Sequence, residues 1–174
     1  MKIAVFGGSF DPIHKGHLEI INKLIDDFQM DKIIVIPTNV TYYKKNTAMF
    51  TYDKKIELCK LVISKDAKLS KFNIEVSDIE KDIKPDEGFA HTILKLKTLY
   101  PYDELYTVIG SDSYNYFNTW RKYELIIENS KLIVAKRPEN EISKNIGIEY
   151  QVLEMNNENS STEIRNKIID LILK

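Results

Sequence analysis

Two of the three histidines in this sequence stand three residues apart, in the stretch GGSFDPIHKGH at residues 7–17. Imidazole changes charge nearest neutral pH, and its ring nitrogens can donate or accept hydrogen bonds. Placed behind a glycine pair, His14 and His17 suit an anion. Gly7 and Gly8 let the chain turn sharply and bring backbone N–H groups near a ligand, and Ser9 adds a hydroxyl donor. Asp11-Pro12 sets a turn, and Gly16-His17 opens a helical pattern whose N-terminus favours negative charge. A cation is unfavourable there, so the histidine pKa is expected below its ordinary value until an anion arrives. A metal site is the competing reading. Zinc catalysis asks for a third ligand and often a glutamate base, HKGH lacks the HExxH spacing, and His91 is the one other imidazole. Phosphate chemistry is the better reading of the loop, without saying which.

A second set of anion-binding residue types lies in SSTEIR, residues 160–165. Ser160, Ser161 and Thr162 can cap the free N–H groups of a helix, and capping alone would account for them. Arg165 follows Thr162 by three positions, so its guanidinium can reach round the first turn toward the same place. Two such cradles on one sheet edge suit a long polyanion such as a nucleoside triphosphate.

The elements that must position these residues are legible from periodicity. Near-continuous apolar runs at 2–7 and 31–37, and further runs at 72–79, 104–110, 131–138 and 148–155, read as strands. Helical spacing recurs at 17–28, 51–63, 89–100, 119–129 and 160–173, with Thr51 as a cap for the second. This alternation predicts an α/β fold, a three-layer Rossmann-like domain with a mainly parallel sheet, spanning residues 1–174 as one domain. The polar stretch 137–147 reads as a surface loop, and KLSKF at 68–72 as an ordinary approach to a strand.

Composition narrows the partners. With 25 basic and 26 acidic residues interspersed along 174 positions, the chain offers no basic face for a nucleic acid polymer. No run approaches the roughly 20 apolar residues of a membrane span, and the residues before Gly7 are too few for a signal-peptide core. The expectation is a soluble cytoplasmic protein. Cys59 is the single cysteine, so no internal disulfide can form. The sequence leaves oligomeric state open.

The N-terminal GSFDPIHKGH together with the late SSTEIR resembles the nucleotidyltransferase superfamily with the HxGH signature. The block IGSDSYNYFNTWRKYELIIENSKLIVAKRP, residues 109–138, closely resembles a segment of bacterial nicotinate-nucleotide adenylyltransferases, and VIPTNVTYYKK at 35–45 matches that family's IPxxxPPHK in position. The resemblance implies transfer of the adenylyl group of ATP to nicotinate mononucleotide in NAD biosynthesis, by direct in-line attack, with Mg²⁺ arriving on ATP. It implies catalytic roles for His14 and His17 at the phosphates. Gly8, Ser9 and Phe10 would line the reacting phosphates, and Ser160, Ser161, Thr162 and Arg165 would grip the β- and γ-phosphates. Ile109 and Gly110 would sit beside the adenine and Asp112 on its ribose. Lys44 would meet the pyridine nucleotide's phosphate, Trp120 would stack on its ring, and Phe89 and Ala90 would lie by its carboxyl group. An aromatic at helical spacing with Tyr123 and Ile127 is otherwise more often core than ligand platform. Several positions depart from the family: Thr41, Tyr42 and Tyr43 stand in place of Pro, Pro and His, and Ala90 and Ile93 where threonines are usual. A preference for nicotinate over nicotinamide is still expected, because backbone N–H groups carry part of that recognition. His91 is expected to lie on a helix surface.

Overall fold

The computed structural model describes residues 1–39, 48–84, 86–142, 146–156, 164 and 166. Six strands, β1 (Lys2–Gly8), β2 (Lys32–Pro37), β3 (Ile74–Val76), β4 (Glu104–Gly110), β5 (Lys131–Lys136) and β6 (Gln151–Glu154), form one sheet in the order β3-β2-β1-β4-β5-β6. All five pairings are parallel. The described helices are α1 (Lys15–Asp26), α2 (Tyr52–Lys65), α3 (Gly88–Leu99), α4 (Ser111–Tyr114) and α5 (Tyr123–Asn129).

A parallel sheet needs cover on both faces, which is why its strands are apolar throughout rather than alternating. Side chains along β1 divide between two cores: Ala4 and Phe6 enter one, Ile3 and Val5 the other. The first face is closed by Ile21 and Leu24 of α1 and by Cys59 and Ile63 of α2. The second is closed by Ala90, Ile93 and Leu96 of α3 and Ile126 of α5. The result is the three-layer Rossmann-like arrangement expected from the alternation of elements. Leu24 has no exposed surface, so truncating it to alanine would cost about 2–5 kcal/mol. Burial also pushes the Cys59 thiol up to about 12, so it packs as an inert apolar group.

Strand order places the ligand crevice. From β1 the chain passes to β2 on one side, and after β3 it returns to β4 on the other side. Strand order reverses between β1 and β4, and ligands of open α/β sheets bind beyond the carboxyl ends of the strands at such a point. The Phe6–Val108 register brings the glycine pair ending β1 alongside Ile109 and Gly110, which end β4.

Three local readings need correction. The helix expected over 119–129 begins only at Tyr123, after a short 3₁₀ turn at Phe117–Thr119, because Trp120 is extended (φ −68°, ψ 141°) and Lys122 is left-handed (φ 52°). α4 was not expected; it is a single turn folded directly onto the end of β4. The 137–147 stretch is not merely a surface loop, since Ile142 and Ile146 pack against the second core. Within KLSKF, Leu69–Lys71 is a 3₁₀ turn at the amino end of β3, opposite the crevice. No helix among the described residues is long and apolar enough to cross a membrane.

Candidate active site

The carboxyl ends of β1 and β4 are shaped by glycines whose missing side chains are occupied by neighbours. A Cβ on Gly7 would stand 2.9 Å from Cε2 of Phe89, so that aromatic ring rests on the bare backbone of β1. A Cβ on Gly110 would stand 2.7 Å from Oδ1 of Asp112. The carboxylate therefore folds back over the last residue of β4, which explains why this turn reads Gly-x-Asp. Beyond Gly8 the chain turns at Phe10, whose φ of 46° is left-handed and whose ring is buried edge-on to Phe6 at 5.1 Å. Ser9, the residue before Phe10, is half-buried.

The two histidines close the start of α1 as a reciprocal pair. His14 is the N-cap, and its Nδ1 accepts the Gly16 N–H at 3.0 Å. Three residues on, His17 Nδ1 accepts the His14 N–H at 3.1 Å. Two helix-end N–H groups are thereby satisfied, the task usually given to a hydroxyl and a carboxylate in a capping box. This fixes the chemistry of both rings. A nitrogen that accepts from a backbone N–H carries no proton, so in each neutral ring the proton sits on Nε2, which becomes a donor. The rings lie 3.9 Å apart, centre to centre, at an angle of 33°. His17 is held well below the ordinary imidazole range, chiefly by burial, then by His14 and by the Arg137 guanidinium. A lowered pKa was expected from the helix N-terminus; the structure assigns it first to burial.

Arg137 was passed over in the sequence, where it figured only as part of the Arg-Pro ending a strand. It follows β5, next to β4, and its charge reaches His17. The signal was available: the residue after a parallel strand's carboxyl end belongs to the crevice rim. Another contact draws the distal chain toward the histidines. The Asn156 N–H donates to Oε1 of Glu19, two residues beyond His17, at 2.5 Å. Asn156 precedes Ser160 by four positions.

On the other flank, the rings of Phe89, Trp120 and Phe117 form a run. Trp120 meets Phe89 edge-on at 6.1 Å and Phe117 at 5.2 Å. Trp120 stays partly buried while Phe117 is fully buried. Trp120 is thus a shoulder on the core rather than a rung of a helix. Ala90 and Ile109 are 1% and 4% exposed, so any ligand contact at those positions must come through backbone groups. Ile93, another departure from the family pattern, is wholly buried. His91 lies on the open side of α3 with Nε2 3.9 Å from Glu87 Oε1, the surface position expected for it. Lys44, Ser160, Ser161, Thr162 and Arg165 lie outside the described residues. Among the described residues no three His, Cys, Asp or Glu side chains gather as a metal site.

Residues 5–167 match the cytidylyltransferase-like family model. A probable nicotinate-nucleotide adenylyltransferase from Fusobacterium nucleatum is 37% identical over 180 residues, covering 97% of this chain and 88% of that relative. The chain belongs to the nicotinate-nucleotide adenylyltransferase family. A second relative of that name, from Aliarcobacter butzleri, is 31% identical, covering 97% of this chain and 88% of its own length. In three dimensions the chain resembles the nicotinic acid mononucleotide adenylyltransferase of Plasmodium falciparum complexed with NaAD, with a TM-score of 0.79 at 20% identity over 95% of this chain and 82% of that one. At that identity the likeness shows the fold. Membership makes this a nucleotidyltransferase.

Proposed function

We propose that the protein joins ATP to nicotinate mononucleotide, giving deamido-NAD and pyrophosphate. An oxygen of the mononucleotide's 5′-phosphate attacks the α-phosphorus of ATP. The bond from that phosphorus to the oxygen bridging to the β-phosphate breaks, and pyrophosphate leaves with that bond's electrons. The observation that carries this reading is the pair of imidazoles whose Nδ1 atoms are spent on backbone N–H groups. Their Nε2 atoms carry protons and have no lone pair to offer, so neither ring is a nucleophile or a base in this state. Each is a donor suited to phosphate oxygens, which favours direct displacement over a covalent enzyme intermediate. A phosphate nucleophile is already ionised near neutral pH, so positioning and charge stabilisation suffice.

In this reading His14 and His17 donate to the α-phosphate and its neighbours, while Arg137 adds a cation to the same rim. Gly8, Ser9 and Phe10 line the reacting phosphates. Asp112 receives the ATP ribose hydroxyls, with the adenine beside Ile109 and Gly110. Ser160, Ser161, Thr162 and Arg165 hold the β- and γ-phosphates, and Lys44 the mononucleotide phosphate. Trp120 offers its face to the pyridine ring, near Phe89 and the backbone at Ala90. The donor set is rich in N–H groups and poor in carboxylates, which suits Mg²⁺ carried in by the triphosphate rather than by a protein cage; bound there it would supply positive charge to the phosphates.

The test is pyrophosphate release with ATP and one acceptor at a time. Release with nicotinate mononucleotide well above that with nicotinamide mononucleotide or phosphopantetheine is expected. Release with phosphopantetheine alone would reassign the acceptor, and no release with any of them would leave only a nucleotide-binding module.

A further inference from the structure

Beside the crevice lie three buried charged side chains that take no direct part in the chemistry above. Asp11 is 4% exposed, Lys55 5% and Glu80 8%. They come from three separate places: the loop after β1, helix α2, and the 3₁₀ turn Ile79–Asp82. Burying charge is costly unless each group is satisfied, so their partners are informative. Asp11 accepts two backbone N–H groups, from Met49 at 2.8 Å and Phe50 at 2.9 Å. Lys55 Nζ donates to the Thr38 carbonyl at 2.6 Å. Glu80 Oε2 accepts the Asn39 N–H at 3.0 Å. Thr38 in turn donates twice to the carbonyl of Gly8, from its N–H at 2.8 Å and its hydroxyl at 3.1 Å. The charges also answer one another, since Asp11 and Glu80 both favour the ammonium of Lys55 against the cost of its burial.

We propose that Asp11, Lys55 and Glu80 are positioning residues for the reaction, buried charges that fasten the backbone after β2 and the backbone before α2 to the glycine loop. Asp11 holds main chain at residues 49–50 and Lys55 and Glu80 hold it at residues 38–39, with Thr92 as a side-chain partner of the Glu80 carboxylate. Such bonds set where a backbone lies, not merely whether two helices pack. Through Thr38, the hold of Lys55 passes directly to the Gly8 carbonyl. This inference rests on the adenylyl-transfer reading, and its test separates the two.

Lys55→Met, Glu80→Gln and the double variant Lys55→Met/Glu80→Gln are compared by thermal midpoint and by pyrophosphate release. Lys55→Met alone leaves the acids without their cation and is expected to lower both. In the double variant one of those acids is neutral, so the thermal midpoint is expected to recover toward the parent value. Its kcat/KM is expected to stay down about 10- to 100-fold, because the Thr38 carbonyl still lacks its donor and small misplacements are expensive in rate. Return of kcat/KM together with stability would overturn the proposal, making the network a fold stabiliser only. Asp11→Asn supplies a second measurement should the others not fold, and it also applies if the native protein releases no pyrophosphate. Hydrogen exchange at the Met49 and Phe50 amides is expected to accelerate in that variant without global unfolding. Unchanged exchange there would overturn the tether whatever the enzyme's substrate, whereas inactivity of the native protein strikes only the adenylyl-transfer reading.

Discussion

The amino and carboxyl ends of the sheet use similar residues in opposite ways. At the amino end Lys2 and Lys97 donate to the Phe28 and Asp103 carbonyls, but the other charges meet in the open. Lys131 Nζ donates to Glu104 Oε2 at 2.6 Å, the terminal ammonium pairs with Asp103 at 2.6 Å, and Lys2 and Lys131 lie over the Tyr106 ring at 5.6 and 5.5 Å. Lys131 holds the Glu104 carboxyl below its ordinary range, but water and salt compete for such exposed pairs, which therefore contribute little to stability. At the carboxyl end the polar groups are withdrawn from water and bonded to backbone: Asp11, His14, Lys55 and Glu80 are all buried. Paying desolvation for a main-chain contact makes sense where position matters more than net stability. The contrast sets the two ends apart without reference to any ligand.

The comparison breaks most sharply at His17. His17→Ala removes an N–H donor from the crevice and is expected to lower kcat by about 10²- to 10³-fold in the pyrophosphate assay. A variant that folds and turns over normally would make the carboxyl end mere architecture. Trp120→Ala is expected to raise KM for the pyridine nucleotide by about tenfold, in line with stacking worth about 1–3 kcal/mol per ring. An effect confined to ATP would move Trp120 to the other substrate.

A smaller effect lies in the pH dependence of stability. The unfolded chain protonates His17 near pH ~6.5, and the folded chain does so only at lower pH. Between those limits the unfolded state binds more protons, so this group costs no stability above about pH 7.5 and a growing amount as pH falls toward about 5.5. Thermal midpoints are expected to drop over that interval, and less steeply in His17→Gln. Parallel curves would mean that the imidazole is open to water. Least of all, Lys131→Met at the amino end is expected to leave kcat/KM unchanged and the thermal midpoint nearly so. A large loss there would erase the distinction between the two ends.

Much of this was legible in the sequence because it is local. The apolar runs, the helical spacing and the Thr51 cap, which accepts the Lys54 N–H at 3.3 Å, depend only on neighbours along the chain. So does the histidine pair, since two imidazoles three apart at a helix start share one turn whatever the rest of the fold does. Trp120 was misplaced onto a helix because its spacing fits one, whereas its backbone follows the contacts of its ring with Phe117 and Phe89, the latter 31 positions earlier in the chain. Arg137 was marked only by its place after a strand, and Glu80 by nothing among its neighbours along the chain.

By itself, then, the sequence determined the order and type of most elements, the two-faced burial of the parallel strands and the presence of a glycine turn with two histidines at a helix start, all consequences of short-range sterics and hydrophobic periodicity. Tertiary structure alone decided which cation acts on His17 and which buried charges hold the glycine loop. Those outcomes depend on desolvation and on hydrogen bonds between residues far apart in the chain. Such terms come into being only when the sheet has brought Gly8, Thr38 and Lys55 into contact.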